Sequence, residues 1–287
     1  MVASFGRQFS VELADGTLVA CVTRGKRTDI ACGDRVVIAL TGPQQGVIEQ
    51  ISPRTSLFYR SDVQREKLIA ANVTLIVVVL AAPDFHRELL DRCLAAAEEA
   101  RITALLALNK MDLPGASAVL ESLDLYARLG YDVLPLAARI DIAPLRARLA
   151  GHLSVLVGQS GMGKSTIINR LVPDAAARVG ELSIALGSGR HTTTHARLYR
   201  LENGSDIIDS PGLQEFGLQH VATPDLAHGF IEFRPLLGLC KFNDCKHLSE
   251  PGCAIEAALA RGEVDPQRVA SYRKLVTQLI NKVKRWD

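Results

Sequence analysis

Residues 158–165 of this 287-residue chain read GQSGMGKS, and this stretch decides the central fold. It matches the phosphate-binding loop G-x-x-x-x-G-K-[ST] and lies between an apolar run, Leu153–Val157, and a helical pattern, Ser165–Leu171. The glycines let successive backbone N–H groups curl around phosphates, and the helix N-terminus adds positive potential. The stretch predicts an α/β nucleotide-binding domain in which Lys164 contacts the β- and γ-phosphates and Ser165 ligates magnesium.

A second motif, Asn109-Lys110-Met111-Asp112, predicts which base is bound. It follows an apolar strand pattern, at the sheet edge where open α/β folds bind ligands. The Asp112 carboxylate can accept hydrogen bonds from guanine N1–H and the exocyclic amine together, a pair that adenine does not offer. Asn109 can steady the loop and the base, and the Lys110 stem can cover the ring. Together with the phosphate loop, the motif indicates a guanine nucleotide.

A third motif, Asp209-Ser210-Pro211-Gly212, ends another strand pattern. We expect Asp209 to hold magnesium through a water, and the Gly212 amide to sense the γ-phosphate. Between this motif and the phosphate loop, residues 189–195 read GRHTTTH. A threonine here normally closes over magnesium and the γ-phosphate. Three consecutive threonines leave its identity open, and we favour Thr193.

Leu213 follows the third motif, where Ras-like enzymes place the glutamine that orients the attacking water. Leucine neither donates nor accepts a hydrogen bond, so the isolated protein should hydrolyse GTP slowly. His191 is the best candidate for orienting that water, because imidazole can do so through either nitrogen. A histidine that only contacts a partner is the alternative. The predicted catalytic set is His191, Thr193, Asp209 and Gly212.

The order of the motifs is permuted. Ordinary small GTPases carry the phosphate loop first and N-K-x-D later, whereas here N-K-x-D comes first. The same sheet can form if the old termini are joined and the chain is cut at an exposed loop. The sequence therefore predicts a circularly permuted GTPase domain whose D-x-x-G loop leads directly into the C-terminal region.

The chain divides into three predicted domains. Residues 1–62 contain short alternating runs separated by Asp-Gly and Gly-Asp turns, which favour a five-stranded OB-type barrel followed by a linker over residues 52–59. Residues 63–217 alternate strand and helix patterns, one helix covering Ala116–Leu129, and predict a mainly parallel sheet. Residues 218–287 form an irregular Cys-containing segment closed by a helix from Pro266 to Lys284.

The C-terminal region contains three cysteines and a histidine within fourteen residues: Cys240, Cys245, His247 and Cys253. This donor set fits one tetrahedral Cys₃His zinc site. Four protein ligands leave no open position, so we expect the zinc to be structural. The other three cysteines, Cys21, Cys32 and Cys93, are scattered among apolar residues and predict core packing.

Composition fits a soluble globular protein, with 48% hydrophobic and 22% charged residues. The N-terminus alternates apolar and polar residues, which excludes a signal peptide. The longest apolar run, Val73–Ala82, is too short to cross a bilayer. We therefore expect a cytoplasmic monomer with no membrane partner. The net charge of +2 does not by itself indicate nucleic acid.

The combination of barrel, permuted GTPase and Cys₃His segment resembles the ribosome small-subunit-dependent GTPase A family, of RsgA/YjeQ type. The resemblance implies a GTP-hydrolysing switch that acts late in maturation of the small ribosomal subunit and is stimulated by it, with barrel and zinc domain gripping rRNA. It assigns GTP to Asn109, Lys110, Met111, Asp112, Gly158, Gln159, Ser160, Gly161, Met162, Gly163, Lys164, Ser165 and Thr166. It assigns zinc to the four C-terminal ligands, and magnesium accompanies GTP through Ser165 and Thr193.

One segment departs from the family pattern. Residues 136–139 read LAAR, without the serine that usually precedes alanine where the guanine carbonyl is supported, so backbone amides would have to serve. Two other functions are compatible with parts of the sequence. A P-loop ATPase or kinase is opposed by Asn109–Asp112, and an RNA-binding module that nucleotide merely stabilises, with negligible turnover, is the alternative.

Overall fold

The computed structural model describes residues 1–5, 8–25, 27, 29–61, 66–83, 85–173, 196–201, 204–209 and 223–283. Its largest sheet has eleven strands in the order β10-β9-β8-β11-β13-β12-β1-β2-β3-β5-β4. The barrel strands are β1 (Ala3–Phe5), β2 (Gln8–Glu12), β3 (Leu18–Thr23), β4 (Val36–Gly42) and β5 (Gln45–Ile51). The strands of the central domain are β8 (Leu75–Ala81), β9 (Thr103–Asn109), β10 (Asp132–Pro135), β11 (Leu153–Val157), β12 (Arg197–Arg200) and β13 (Asp206–Asp209).

The central part of the sheet is parallel except for β12. Strands β10, β9, β8, β11 and β13 run parallel to one another, and β12 pairs antiparallel with β13. All seven residues of β8 are buried, because helices cover both faces of a parallel sheet. The helices of this part are α1 (Arg87–Glu99), α2 (Ala116–Glu121), α3 (Asp124–Arg128), α4 (Ala143–Leu149) and α5 (Lys164–Leu171).

The single helix predicted over Ala116–Leu129 is wrong, because the structure has two helices there. The Ser122 hydroxyl at the end of α2 donates to the Val119 carbonyl oxygen at 2.6 Å. The Leu123 amide turns back to the Leu120 carbonyl oxygen at 2.9 Å. Such local bonds compete with the regular i−4 ladder, so the helix is interrupted.

The first five strands follow the topology of a Greek-key OB barrel. Strand β3 pairs with β5 in parallel, and the other pairings among these strands are antiparallel. The barrel also joins the central sheet, because Ala3 of β1 pairs with Arg197 of β12. The sequence patterns missed β1, which is only three residues long.

Part of the predicted linker over residues 52–59 is wrong. Strand β6 (Leu57–Ser61) pairs antiparallel with β7 (Glu66–Ala71) as a separate two-stranded sheet. Phe58 opposes Ala70 and is buried, so apolar packing favours a hairpin over an exposed linker. Of the predicted linker, only residues 52–56 lie outside any strand. The hairpin spans the boundary at residue 62, and the domain limits stay a prediction.

The C-terminal part is helical around the cysteine segment. It consists of α6 (Thr223–His228), a 3-10 helix (Ile231–Leu236), α7 (Ala254–Ala260) and α8 (Pro266–Val283). The predicted helix from Pro266 agrees with α8, and residue 284 lies outside the described residues. Helix α8 packs on α1 and on α6. None of the helices in the described ranges is both long and apolar enough to cross a membrane.

Candidate functional site

The phosphate loop follows β11 and ends where α5 begins. Gly158 has φ 141°, and a Cβ there would lie 2.3 Å from the Val79 carbonyl oxygen of β8. Gly163 has φ 97°, and a Cβ there would lie 2.3 Å from the Asn109 Nδ2 atom. Both positions require glycine, for conformation and for space. The loop therefore packs closely against β8 and β9 at the carboxyl edge of the sheet.

Lys164 is the first residue of α5, and its side chain folds back onto the phosphate loop. Its Nζ donates hydrogen bonds to the carbonyl oxygens of Gly158 at 2.5 Å and Gln159 at 2.6 Å. Burial lowers the pKa of Lys164, and the Asp209 carboxylate opposes this shift. Burial likewise raises the pKa of Asp209, with Lys164 opposing it. The cation of the first motif and the carboxylate of the third are therefore near enough to interact electrostatically.

Asn109 joins three loops through one buried side chain, which is 3% exposed. Its Nδ2 donates to the Met162 carbonyl oxygen at 3.0 Å, within the phosphate loop. Its Oδ1 accepts from the Ala138 amide at 3.1 Å, within the LAAR segment. Lys110 adopts φ 62°, which turns the chain, and the Met111 amide donates to Leu136 at 3.1 Å. Asp112 is exposed at this edge.

The structure brings the first and second motifs and Asp209 to the carboxyl ends of β9, β11 and β13. The remaining predicted switch residues, His191, Thr193 and Gly212, lie outside the described residues. The sequence motifs do not indicate the hydrogen bond between Asn109 and the Ala138 amide. The apolar LAAR segment carries no side-chain signal that could have indicated it.

The four predicted zinc ligands come together. Their ligand atoms all lie within 4.8 Å of one another, with the Cys240 and Cys253 Sγ atoms 3.4 and 3.5 Å from His247 Nδ1. A tetrahedral zinc with bonds of about 2.3 Å to sulfur and about 2.0–2.1 Å to nitrogen separates such atoms by roughly 3.5 Å. The donor set and its spacing therefore fit zinc.

Neighbouring groups hold this cluster in place. His247 adopts φ 59°, and the Ala254 amide at the start of α7 donates to Cys240 Sγ at 3.3 Å. From α8, the Tyr272 hydroxyl donates to the Lys246 carbonyl oxygen at 3.0 Å. Burial would raise the pKa of Glu250, but backbone amides that donate to its carboxylate lower it to about 2. The cluster is a folded unit supported by α7 and α8.

The junction between this unit and the central domain rests on Arg268, which sequence reasoning missed. Its side chain is 1% exposed. The guanidinium donates to Asp91 of α1 at 2.7 Å and to both oxygens of Glu232 at 2.6 and 3.0 Å. Asp91 also accepts from the Tyr126 hydroxyl at 2.8 Å, and the Arg268 guanidinium carbon lies 4.4 Å from the centre of the Phe230 ring. We call these five residues the α1–α8 clamp.

The predicted core cysteines are confirmed: Cys21, Cys32 and Cys93 are buried and free. Desolvation raises the pKa of the Cys32 thiol to about 12. Burial also raises the pKa of Cys93. These thiols therefore stay protonated and pack as small apolar groups.

The fold and the order of the motifs define the class, a circularly permuted GTPase. Comparison with known proteins then gives the family. The sequence model of the family described as RsgA GTPase matches residues 51–219. The chain is 55% identical to the small ribosomal subunit biogenesis GTPase RsgA of Nitrosospira multiformis, over 97% of this chain and 90% of that protein. The chain belongs to the RsgA GTPase family.

Solved structures agree with this assignment. The crystal structure of YjeQ from Thermotoga maritima is 28% identical, with a TM-score of 0.75 over 97% of both chains. YloQ, described as a circularly permuted GTPase, gives a TM-score of 0.72 at 24% identity, over 98% of this chain and 94% of that one, and supports the fold alone. The family resemblance and the fold class read from the sequence are confirmed.

Proposed function

We propose that the chain hydrolyses GTP to GDP and phosphate and acts as a switch in late maturation of the small ribosomal subunit. The name of its relative, small ribosomal subunit biogenesis GTPase, supports the GTPase activity and the ribosomal role. The observation that carries the nucleotide part is the Asn109 side chain. Its two hydrogen bonds tie the base-reading strand end to the phosphate loop and to the LAAR segment. One rigid edge can therefore hold base and phosphates of the same nucleotide.

The phosphates would lie against Gly158–Thr166. Lys164 is at the loop mouth, and its bonds to two loop carbonyls would be exchanged for phosphate oxygens. Ser165 and Thr193 are the proposed magnesium ligands, and Asp209 would act through a water. Magnesium, when bound, neutralises charge on the β- and γ-phosphates.

The base would be read by Asp112, with Lys110 covering the ring. The Ala138 amide is held by Asn109, so the LAAR segment is fixed beside the base site without a serine. Asp112→Asn should weaken GTP binding by several kcal/mol and favour xanthine nucleotide, because the amide mismatches two guanine donors. Unchanged GTP affinity of Asp112→Asn in a competition assay would show that Asp112 does not read the base.

Hydrolysis needs a group that orients water, and Leu213 cannot supply it. We assign this role to His191, and γ-phosphate contact to Gly212. The small subunit would stimulate turnover by ordering the loop that carries His191, so no catalytic group need come from the partner.

The Cys₃His cluster would hold one structural zinc, and the barrel and the zinc-bearing part would contact rRNA. The protein would act as a cytoplasmic monomer. Relatives' names supply the ribosomal partner, and the cluster geometry supplies the metal.

The deciding experiment titrates GTP turnover with purified small and large ribosomal subunits separately. We expect stimulation by the small subunit alone, and its loss in His191→Ala. Single-turnover hydrolysis that stays negligible with small subunits would favour the alternative, an RNA-binding module that nucleotide only stabilises. Stimulation that persists in His191→Ala would remove the water-orienting role alone.

A further inference from the structure

The turn between the first two zinc-ligand candidates presents an aromatic ring to solvent. Phe242 is 44% exposed, although rings of this size are commonly buried. Cys240 and Cys245 bracket the turn, and the Cys245 amide donates to the Phe242 carbonyl oxygen at 3.3 Å. The Lys241 amide is fixed as well, to the Gly252 carbonyl oxygen at 3.0 Å. The backbone that carries the ring is therefore preorganised.

Phe242 borders a cavity of about 420 Å³ beside the Cys₃His cluster. That volume lies within the range of about 300–1,000 Å³ typical of small-ligand sites. Leu237 and Tyr272 contribute apolar lining, and Asn243 contributes an amide. A Cβ on Gly238 would meet nothing within 4 Å, so this wall leaves open space. The cavity can take a flat, partly polar group.

The charges around the ring favour a ligand with an anionic backbone. Lys241 Nζ lies 5.5 Å from the centre of the Phe242 ring, and Lys246 lines the cavity with its side chain exposed. Asp244 is the one carboxylate among the lining residues that the structure describes. Glu250, close in sequence, is engaged by the amides of residues 246, 248 and 249. An aromatic face beside cations is the arrangement that stacks bases of single-stranded nucleic acid.

We propose that this cavity binds one unpaired nucleobase of rRNA, stacked on Phe242, with the adjoining phosphates near Lys241 and Lys246. The identity of the RNA rests on the proposed ribosomal function. The Asn243 amide offers both a donor and an acceptor to the base edge. A protein segment docking on the same ring is the competing occupant, and the test separates the two.

The test uses zinc-loaded full-length protein and measures affinity for the small subunit. Phe242→Ala should weaken binding about tenfold or more, since stacked bases depend strongly on the aromatic face. Phe242→Tyr should retain binding, whereas Phe242→Leu should not restore it. Leu239→Ala is the matched control, because Leu239 is 68% exposed in the same segment but does not line the cavity. Zinc content is measured in each variant, so that loss of metal is recognised.

Ultraviolet cross-linking of the complex, read by mass spectrometry, should place a nucleotide adduct on the peptide that contains Phe242. Full binding by Phe242→Leu, or equal losses in Phe242→Ala and Leu239→Ala, would indicate a protein contact and overturn the proposal. Short single-stranded oligoribonucleotides test the cavity without ribosomes. If they lose affinity in Phe242→Ala while the small subunit fails to bind the native protein, the nucleobase site stands and the ribosomal function fails. If native protein binds small subunits and Phe242→Ala leaves both the small-subunit affinity and the oligoribonucleotide affinity unchanged, the nucleobase site fails and the ribosomal function stands.

Discussion

The barrel and the part that carries the Cys₃His cluster are attached to the central domain by different kinds of contact. The α1–α8 clamp buries one guanidinium between two carboxylates, and side chains make every bond of it. The barrel is attached mainly through backbone. Ala3 pairs with Arg197, the Leu198 amide donates to the Val2 carbonyl oxygen at 2.8 Å, and the Ala71 amide donates to the Cys32 carbonyl oxygen at 2.8 Å. The ion pair of Arg200 with Glu12 at the barrel junction is largely exposed on the arginine side.

The difference shows where each junction is vulnerable. A buried charge that loses its partner destabilises the folded state strongly. A strand pairing depends on several main-chain hydrogen bonds, and substitution of one side chain does not remove them. Helix α1 also touches the nucleotide edge, since His86 and Leu89 border the same small space as Gly158 and Gln159. Barrel strand β1 instead pairs with β12, which follows residues 189–195 in the sequence.

The largest effect should come from removing the proposed zinc, which tests whether the clamp survives when the segment that carries the Cys₃His cluster unfolds. Structural zinc contributes roughly 10 kcal/mol or more in isolated zinc-binding peptides. Cys245→Ala should release one zinc per chain and raise hydrogen exchange in residues 240–260, while the barrel stays protected. Elemental analysis that finds no metal in the native protein would contradict the assignment. Cys93→Ala is the control, because Cys93 is buried and is not part of the donor set.

Breaking the clamp should have the next largest effect. Arg268→Met leaves Asp91 and Glu232 buried without a cation, which should destabilise the junction by about 3–5 kcal/mol. Arg234→Met is the matched control, since Arg234 pairs with Glu98 across the same junction but is 45% exposed. Urea unfolding together with hydrogen exchange in α1 and α8 measures both variants. Similar losses in the two would show that the junction depends on apolar packing and not on the buried charge.

A backbone change should affect the barrel junction to a smaller extent. Gly33 has φ 92°, and a Cβ there would lie 2.2 Å from the Ala71 carbonyl oxygen. Gly33→Ala should therefore cost about 1–3 kcal/mol through strain and displacement of the hairpin. Gly16→Ala serves as the control, because Gly16 also has positive φ but open space around it. If thermal unfolding shows equal losses, conformational strain alone explains the effect and the close approach contributes nothing.

The smallest effect should follow removal of a barrel ion pair. Arg200 contacts both Glu12 and Asp206, yet its side chain is 57% exposed. Arg200→Gln should change the free energy of unfolding by about 1 kcal/mol or less, and added salt should shrink the difference. A loss as large as that of Arg268→Met would show that the barrel junction also depends on charge.

The nucleotide site could be predicted from sequence because each of its motifs is local. Residues 158–165 and Asn109–Asp112 are short runs whose residue types are fixed by phosphate and base chemistry, and each ends a strand with a clear apolar pattern. The zinc donors likewise lie within fourteen residues. Such segments predict the same binding site when the chain is permuted, because packing, and not chain order, brings them to the same edge of the sheet.

Tertiary structure alone decided the connections between distant segments. Arg268 meets Asp91 at a separation of 177 residues, and its own neighbours on α8 give no sign that it is buried. The Asn109 bond to Ala138 uses a backbone amide, which every residue but proline carries. The joint of β1 with β12 is a pairing of strands that lie far apart in sequence, and such partners are set by which strand edges the folded domains bring together. Sequence patterns report which face of an element is apolar, and they carry no record of which distant element covers that face.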